Sequence, residues 1–368
     1  MRLNIPSTGP EELDAIARVL ESGYLTQGPQ AAEFERLVSK HTGSRFGFAT
    51  SSATTGIHLA LHAAGVKPGD EVIIPDFSFP ATANAVIQQG AVPVFVDIEL
   101  STFNLDPRLL REAFTTRTRA VMPVHAFGLP ADMGPINAVA AEFGVPVIED
   151  AACALGGSYR GREAGALGDA GVFSFHPRKI ITTGEGGMIT TSDESLAERI
   201  SVLRSHGAVR GSHFMSFVDA GYNYRLSDVH AAIGVVQMGR LASIMSDRWR
   251  LADRYALELD GVEGVTAPTV PDGSVHAFQS YVVLLDDAID RDAVIDGMRA
   301  RDIETTLGTY SMHLQPYFRD RFGIADEMLP MATRAHRSAL TLPLYPQLSD
   351  EEVSEVSATL ADVIGSQK

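Results

Sequence analysis

Lys179 is the residue of this chain whose type and surroundings are best suited to forming a covalent bond with a carbonyl group. Only four of the 30 basic residues are lysines (Lys40, Lys67, Lys179 and Lys368); the rest are arginines. An arginine stays protonated and cannot form an imine, whereas a lysine amine can be desolvated into a nucleophile. Lys368 is the last residue, Lys67 stands in the turn-like Lys67-Pro68-Gly69-Asp70, and Lys40 ends an amphipathic pattern. Lys179 instead closes the strand-like run Ser174-Phe175-His176-Pro177-Arg178-Lys179 and leads into Thr182-Thr183-Gly184-Glu185-Gly186-Gly187. Most lysines are solvated surface charges. The scarcity of lysine elsewhere and the adjacent glycines favour chemistry here.

Three further groups of residues could serve a ligand held by such a lysine. Ser51-Ser52-Ala53-Thr54-Thr55-Gly56 follows a strand pattern and opens a helix pattern. It offers free N–H groups, hydroxyls and the positive end of a helix dipole to an anion, although taken alone it is also a plain helix cap. Ser174 could donate to the same anion as Thr54. Val147-Ile148-Glu149-Asp150 is an apolar strand that delivers a carboxylate at its C-terminal end, the edge at which open α/β sheets bind ligands. A buried aspartate there needs a cation, and a protonated pyridine nitrogen would serve. A helix cap is the bland alternative. Phe77-Ser78-Phe79-Pro80 supplies an aromatic pair, one member able to stack on a flat ligand and the other better explained as core.

These residues must be positioned by strands and helices in alternation. The first helix pattern starts at Pro10 and carries Leu13, Ile16 and Leu20; a second passes through Phe34 and Leu37. Strand patterns cover 46–49, 71–74, 92–96, 120–124, 146–148, 172–175 and 188–191, with helical patterns around 54–64, 83–88, 106–113 and 135–143 between them. Short apolar runs of this kind are buried parallel strands, so the expected class is α/β with a mostly parallel central sheet flanked by helices. A long helix over 227–259 precedes the Pro/Gly-bearing stretch 261–273. The domain expectation is therefore a large domain at 1–260 and a smaller C-terminal α+β domain at 261–368. The last helix starts at Ser349, with Glu352 completing a capping box.

Composition bounds the partners. The chain has 368 residues, 45% hydrophobic and 21% charged, with a formal net charge of −16. An acidic chain is a poor match for nucleic acid, and no apolar run approaches the span a membrane helix requires. The N-terminus lacks the pattern of a secretory signal. One cysteine, Cys153, forms no internal disulfide and no metal cluster of its own, so no metal is expected and a cytoplasmic setting is.

The order and spacing of these motifs resemble the DegT/DnrJ/EryC1/StrS sugar aminotransferases, members of the fold-type I pyridoxal-phosphate enzymes. The resemblance runs through Gly23–Pro29 with Phe34-Glu35, Ser52-Ala53-Thr54, Pro123-Val124-His125, Glu149-Asp150-Ala151-Ala152 and the segment from Ser174 to Gly187. It continues in Gly221-Tyr222-Asn223-Tyr224-Arg225-Leu226, His313-Leu314-Gln315-Pro316 and Leu342-Pro343-Leu344-Tyr345-Pro346. It implies pyridoxal 5′-phosphate carried as an internal aldimine on Lys179, which also shuttles the proton. Asp150 would pair with the pyridine nitrogen and Phe79 would stack on the ring. Ser52, the Ala53 N–H, Thr54 and Ser174 would hold the phosphate, with Asn223 of the other subunit of a homodimer. Arg225, Tyr310 and His313 are the candidates for binding the acceptor. Three positions depart from the family pattern: Cys153 replaces a His or Gln near the cofactor 3-oxygen, Gly308 replaces a histidine, and Ala53 replaces a glycine. The implied reaction moves an amino group from an amino acid, glutamate first, to a nucleotide-linked keto-sugar. A sugar dehydration, a cyclic-ketone (inosose-type) acceptor and a non-catalytic regulator are the alternatives. Lys179 itself argues against the dehydration and the regulator.

Overall fold

The computed structural model describes residues 1–367, so Lys368 lies outside the described residues. Seven strands build the main sheet: β1 (Phe46–Thr50), β2 (Glu71–Pro75), β3 (Val92–Val96), β4 (Thr118–Val121), β5 (Ile148–Asp150), β6 (Ala170–Ser174) and β7 (Gly187–Thr191). Their spatial order is β3-β2-β4-β5-β6-β7-β1, with β4 and β5 joined by the parallel bridges Val121↔Val147 and Val124↔Asp150. Only β7 runs against its neighbours. The reason is local: no helix intervenes between β6 and β7, so the chain returns beside itself after the Lys179 turn instead of crossing over.

Helix α1 covers Pro10–Ser22, α2 Pro29–Thr42, α3 Ala53–Ala63 and α4 Pro80–Gln88. Helix α3 lies close on the sheet because Gly56 has no side chain; a Cβ there would come within 2.8 Å of Val172 Cγ1. Buried Ile57, Ala60, Ile74, Ile148 and Val172 form the core beneath it. The apolar residues that mark α1 in the sequence are not the ones it buries. Leu13 and Leu20 are 68% and 59% exposed, while Glu12, Ala15 and Val19 turn toward the long helix α5 (Asp228–Glu258).

The smaller unit carries an antiparallel sheet in the order β8-β9-β11-β10, made of β8 (Val265–Thr266), β9 (Tyr281–Leu285), β10 (Thr306–Leu307) and β11 (Ala339–Leu342). Helices α6 (Arg291–Arg299) and α7 (Asp350–Gly365) cover it, the latter starting on the Ser349/Glu352 capping box. Packing differs from a clean division after residue 260 in two places. Leu251, Ala252 and Tyr255 of α5 belong to the small unit's core. Residues 1–5 also join it: Glu304 N–H donates to Met1 O (2.9 Å), Leu344 N–H to Leu3 O (3.1 Å), and Leu3 N–H to Glu304 Oε2 (3.0 Å).

Candidate active site

The C-terminal ends of β5 and β6 and the start of α3 meet at one edge of the sheet. Gly187 is the pivot of that meeting: it pairs with Ser174 on one side and Thr50 on the other. A Cβ on Gly187 would stand 2.5 Å from Ser52 C and O and 2.7 Å from Ala53 N, so only glycine lets β7 seat the turn there. Ser52 caps α3, its Oγ accepting Thr55 N–H at 3.2 Å while its own N–H donates to Thr55 Oγ1 at 3.1 Å. The Ala53 and Thr54 N–H groups, first in the helix, have no intrahelical acceptor. Ser174 is half-buried across Gly187 from this turn.

Asp150 is buried and has no ion-pair partner among the described residues. Its Oδ2 accepts the Thr82 hydroxyl at 2.7 Å and its Oδ1 accepts Ala152 N–H at 3.2 Å. Burial pushes its pKa up; those hydrogen bonds and the charge of Lys179 oppose the shift without cancelling it. A relay runs outward, since Ser78 Oγ lies 2.7 Å from Thr82 Oγ1. Behind Asp150, Glu149 is saturated. It accepts N–H donors from Gly165, Leu167 and Gly168, each at 2.7 Å, and His125 Nε2 at 2.8 Å. His125 Nδ1 accepts Ala131 N–H (3.1 Å), which makes it the neutral tautomer with hydrogen on Nε2. This network holds the end of β5 rigid.

Lys179 Nζ donates to Cys153 Sγ at 3.0 Å, so the only cysteine of the chain touches the amine itself. The aromatic pair separates: Phe77 is core and Phe79, cap of α4, is 65% exposed at the same edge. Tyr310 pairs with Ser78, the residue before Phe79, in a two-residue ladder and is half-buried. The Gly221–Leu226 segment runs along β1, with Ser51 N–H donating to Tyr224 O (2.9 Å). On it Tyr222 and Tyr224 stack at 4.7 Å and turn to His62 and His58 of α3, while Asn223 is exposed. Arg225 Nη1 donates to Ser205 Oγ at 3.0 Å.

His313 is corrected by the structure. It is buried, with Nδ1 2.7 Å from Asp76 Oδ2 and Nε2 3.1 Å from Thr333 Oγ1, so neither ring nitrogen is free for an acceptor. Gly308 also gains a reason, because a side chain there would meet Ala339 Cβ at 2.8 Å and Phe127 Cζ at 3.2 Å. Reading the sequence assigned no role to Thr82 or Ser78. Their signal was weak: a hydroxyl in the first turn of a short apolar helix reads as a cap.

An amine, a buried carboxylate lacking a cation, and a hydroxyl-lined helix start fit a ligand with an aldehyde, a basic ring nitrogen and a phosphate. Pyridoxal phosphate has these three groups. Comparison with known proteins agrees. The sequence pattern of the DegT/DnrJ/EryC1/StrS aminotransferase family matches residues 6–361. The spore coat polysaccharide biosynthesis protein SpsC of Bacillus subtilis is 38% identical over 374 residues, 98% of this chain and 96% of SpsC. The crystal structure of the aminotransferase TlmJ from Streptoalloteichus hindustanus superposes with a TM-score of 0.93 at 35% identity, covering 100% of this chain and 99% of TlmJ. The PLP form of Spr1654 from Streptococcus pneumoniae gives 0.95 at 28% identity, over 100% of this chain and 99% of Spr1654.

Proposed function

We propose a substrate pair on one premise: the chain belongs to the DegT/DnrJ/EryC1/StrS aminotransferase family and is a pyridoxal-phosphate-dependent aminotransferase. The donor is an amino acid, glutamate in the first instance, and the acceptor is a keto-sugar linked to a nucleotide. Bound pyridoxal phosphate supplies an electrophilic carbon and a ring that delocalises the charge left when a proton departs. The chain's own groups do the rest. Lys179 Nζ holds the cofactor and moves the proton, Asp150 keeps the ring nitrogen charged, and Ser52, the Ala53 N–H, Thr54 and Ser174 bind the phosphate. Cys153, in contact with Lys179, would serve the cofactor 3-oxygen, and Phe79 would stack on the ring. Arg225 and Tyr310 face the acceptor.

Asp150, a buried carboxylate with no cation in contact, supports the cofactor's place, and the likeness to SpsC, a spore coat polysaccharide biosynthesis protein, supports a sugar acceptor. The test is a panel of nucleotide-linked 3-keto and 4-keto sugars with glutamate, read by mass spectrometry. A mass change to the amino sugar is expected. Product from a carbocyclic ketone alone would move the acceptor to the inosose type, and a dehydrated sugar would replace transfer by elimination.

The active unit is a homodimer with shared sites, in which Asn223 reaches the partner's phosphate turn. Support comes from its outward-facing position and from the exposed Leu13, Leu20, Phe214 and Phe217, apolar surface that one chain leaves uncovered. Mixing a Lys179→Ala chain with an Asn223→Ala chain, each inactive, should restore partial activity under subunit exchange; an active monomer would end the idea. No helix among the described residues is long and apolar enough to cross a membrane. The single cysteine supports a cytoplasmic setting.

A further inference from the structure

The turn that carries Lys179 is held from outside its own domain. Locally, Lys179 N–H donates to His176 O at 2.8 Å and Arg178 N–H to His176 Nδ1 at 3.2 Å. The two carbonyls just before Lys179 are each met by a side-chain amide from a distant segment. Asn4 Nδ2 donates to Pro177 O at 3.1 Å, and Gln279 Nε2 donates to Arg178 O at 2.9 Å. Both amides ride on the small unit: residues 1–5 are bonded to Glu304 and Leu344, and Gln279 leads into β9.

Gln279 is itself pinned at both ends of its backbone. Its N–H donates to Phe127 O at 2.9 Å, and its carbonyl accepts Arg248 Nη1 at 3.1 Å. Arg248 is fully buried on α5 and also donates to Phe278 O at 2.9 Å. Phe127 and Phe278 both sit in left-handed backbone, at φ 56° and 45°. Non-glycine residues keep that conformation only where the surroundings over-determine it. The junction is therefore stiff, and it ends on the peptide preceding the lysine.

We propose that Asn4 and Gln279 are positioning residues for Lys179, which make the placement of its amine depend on the seating of the small unit. The inference rests on Lys179 being the lysine that carries the cofactor. A nucleophile held in place reacts faster than one on a loose turn, and a displacement near 1 Å costs on the order of 10²-fold in rate. Removing the two donors should slow covalent attachment while leaving the phosphate turn, and so the first encounter with the cofactor, intact.

The experiment uses the full chain stripped of cofactor, as wild type, Asn4→Leu, Gln279→Met and the double variant, mixed rapidly with pyridoxal phosphate. Trp249, the sole tryptophan, donates to His276 O at 2.9 Å beside the junction, and its emission reports both seating and encounter. Visible absorbance follows attachment, and borohydride reduction with peptide mapping identifies the lysine. Encounter should stay within about twofold of wild type, and attachment should slow roughly tenfold or more in the double variant. Attachment within about twofold of wild type would overturn the proposal, and so would an equal slowing of both phases, which marks a merely structural role. If the double variant fails to fold, the single variants decide by the same split. A wild-type label on a lysine other than Lys179 would instead remove the underlying reading, and this inference with it.

Discussion

Two aspartates are buried near strand ends of the same sheet, Asp76 just after β2 and Asp150 closing β5, and their surroundings are opposite. Asp76 has its counter-charge built in: His313 gives it a backbone N–H at 2.9 Å and a ring nitrogen at 2.7 Å. Burial disfavours charge on that imidazole, yet the hydrogen bond and charge of Asp76 outweigh it and raise the histidine's pKa above its usual value. Asp150 has a hydroxyl and one peptide N–H but no cation in contact, and burial raises its pKa instead. Folding completes the first site. The second is left without a cation in contact, as the proposed pairing with the cofactor's ring nitrogen requires, so the two look alike by burial and differ in their partners.

The largest expected effect separates chemistry from fold at the ligand site. Lys179→Ala should lower turnover by at least about 10³-fold, the scale of a lost positioned proton-transfer group. Its thermal melt, taken without cofactor, should stay near the wild-type midpoint, because the amine's one hydrogen bond among the described residues is to Cys153 Sγ. Turnover near the wild-type rate would mean that another residue carries the cofactor.

The aspartates themselves give the sharpest contrast. Asp76→Asn strips the buried histidine of its carboxylate and should cost about 3 kcal/mol in urea unfolding, the usual penalty for breaking a buried pair. Asp150→Asn removes a buried charge that the cofactor-free chain does not compensate. That chain should be as stable as wild type or more so, with turnover down about 10²-fold. Equal destabilisation by both substitutions would erase the distinction drawn between them.

The pH dependence of stability follows from the same two groups. A histidine whose folded pKa exceeds its ordinary 6.5 binds its proton more tightly when folded. Its contribution is full below that value and fades as pH rises through the folded pKa. His313→Gln should therefore flatten the decline of stability above about pH 6.5, measured by urea midpoints across the range. Asp150, raised from 3.8, also makes the cofactor-free chain less stable as pH rises, but in the window above about pH 4. Saturating cofactor should remove that lower slope and leave the upper one.

Tyr310→Phe carries the smallest expected change. With Tyr310 half-buried and paired to Ser78, loss of its hydroxyl should raise the acceptor KM by about threefold and leave the glutamate half-reaction unchanged, as expected for lost uniform binding. A slowed glutamate half-reaction would place the tyrosine on the donor side.

Much of this site was legible before any contact was known, because its signals are local. Lysine scarcity, the glycine-rich turn after Lys179, the Ser52 cap and the carboxylate at the end of an apolar strand are all features of short windows. The small-unit cap at Ser349 and Glu352 is of the same kind. Local signals failed where a residue's partner is remote. Thr82 reaches Asp150 and His313 reaches Asp76 only after the chain has folded back on itself, and nothing near either residue in sequence marks the meeting.

From the sequence alone came the alternation of elements, the choice of Lys179 as the candidate reactive lysine and the residue types gathered around it, since hydrophobic period, capping and turn chemistry act over a few residues. The tertiary structure decided which side chains face each other. It placed His313 in the interior, turned Leu13 and Leu20 outward and reversed β7. It also seated residues 1–5 on the small unit, from which Asn4 reaches the Lys179 turn. Those outcomes depend on which surfaces fit together at close packing, a property of the whole folded volume that no short stretch of chain contains.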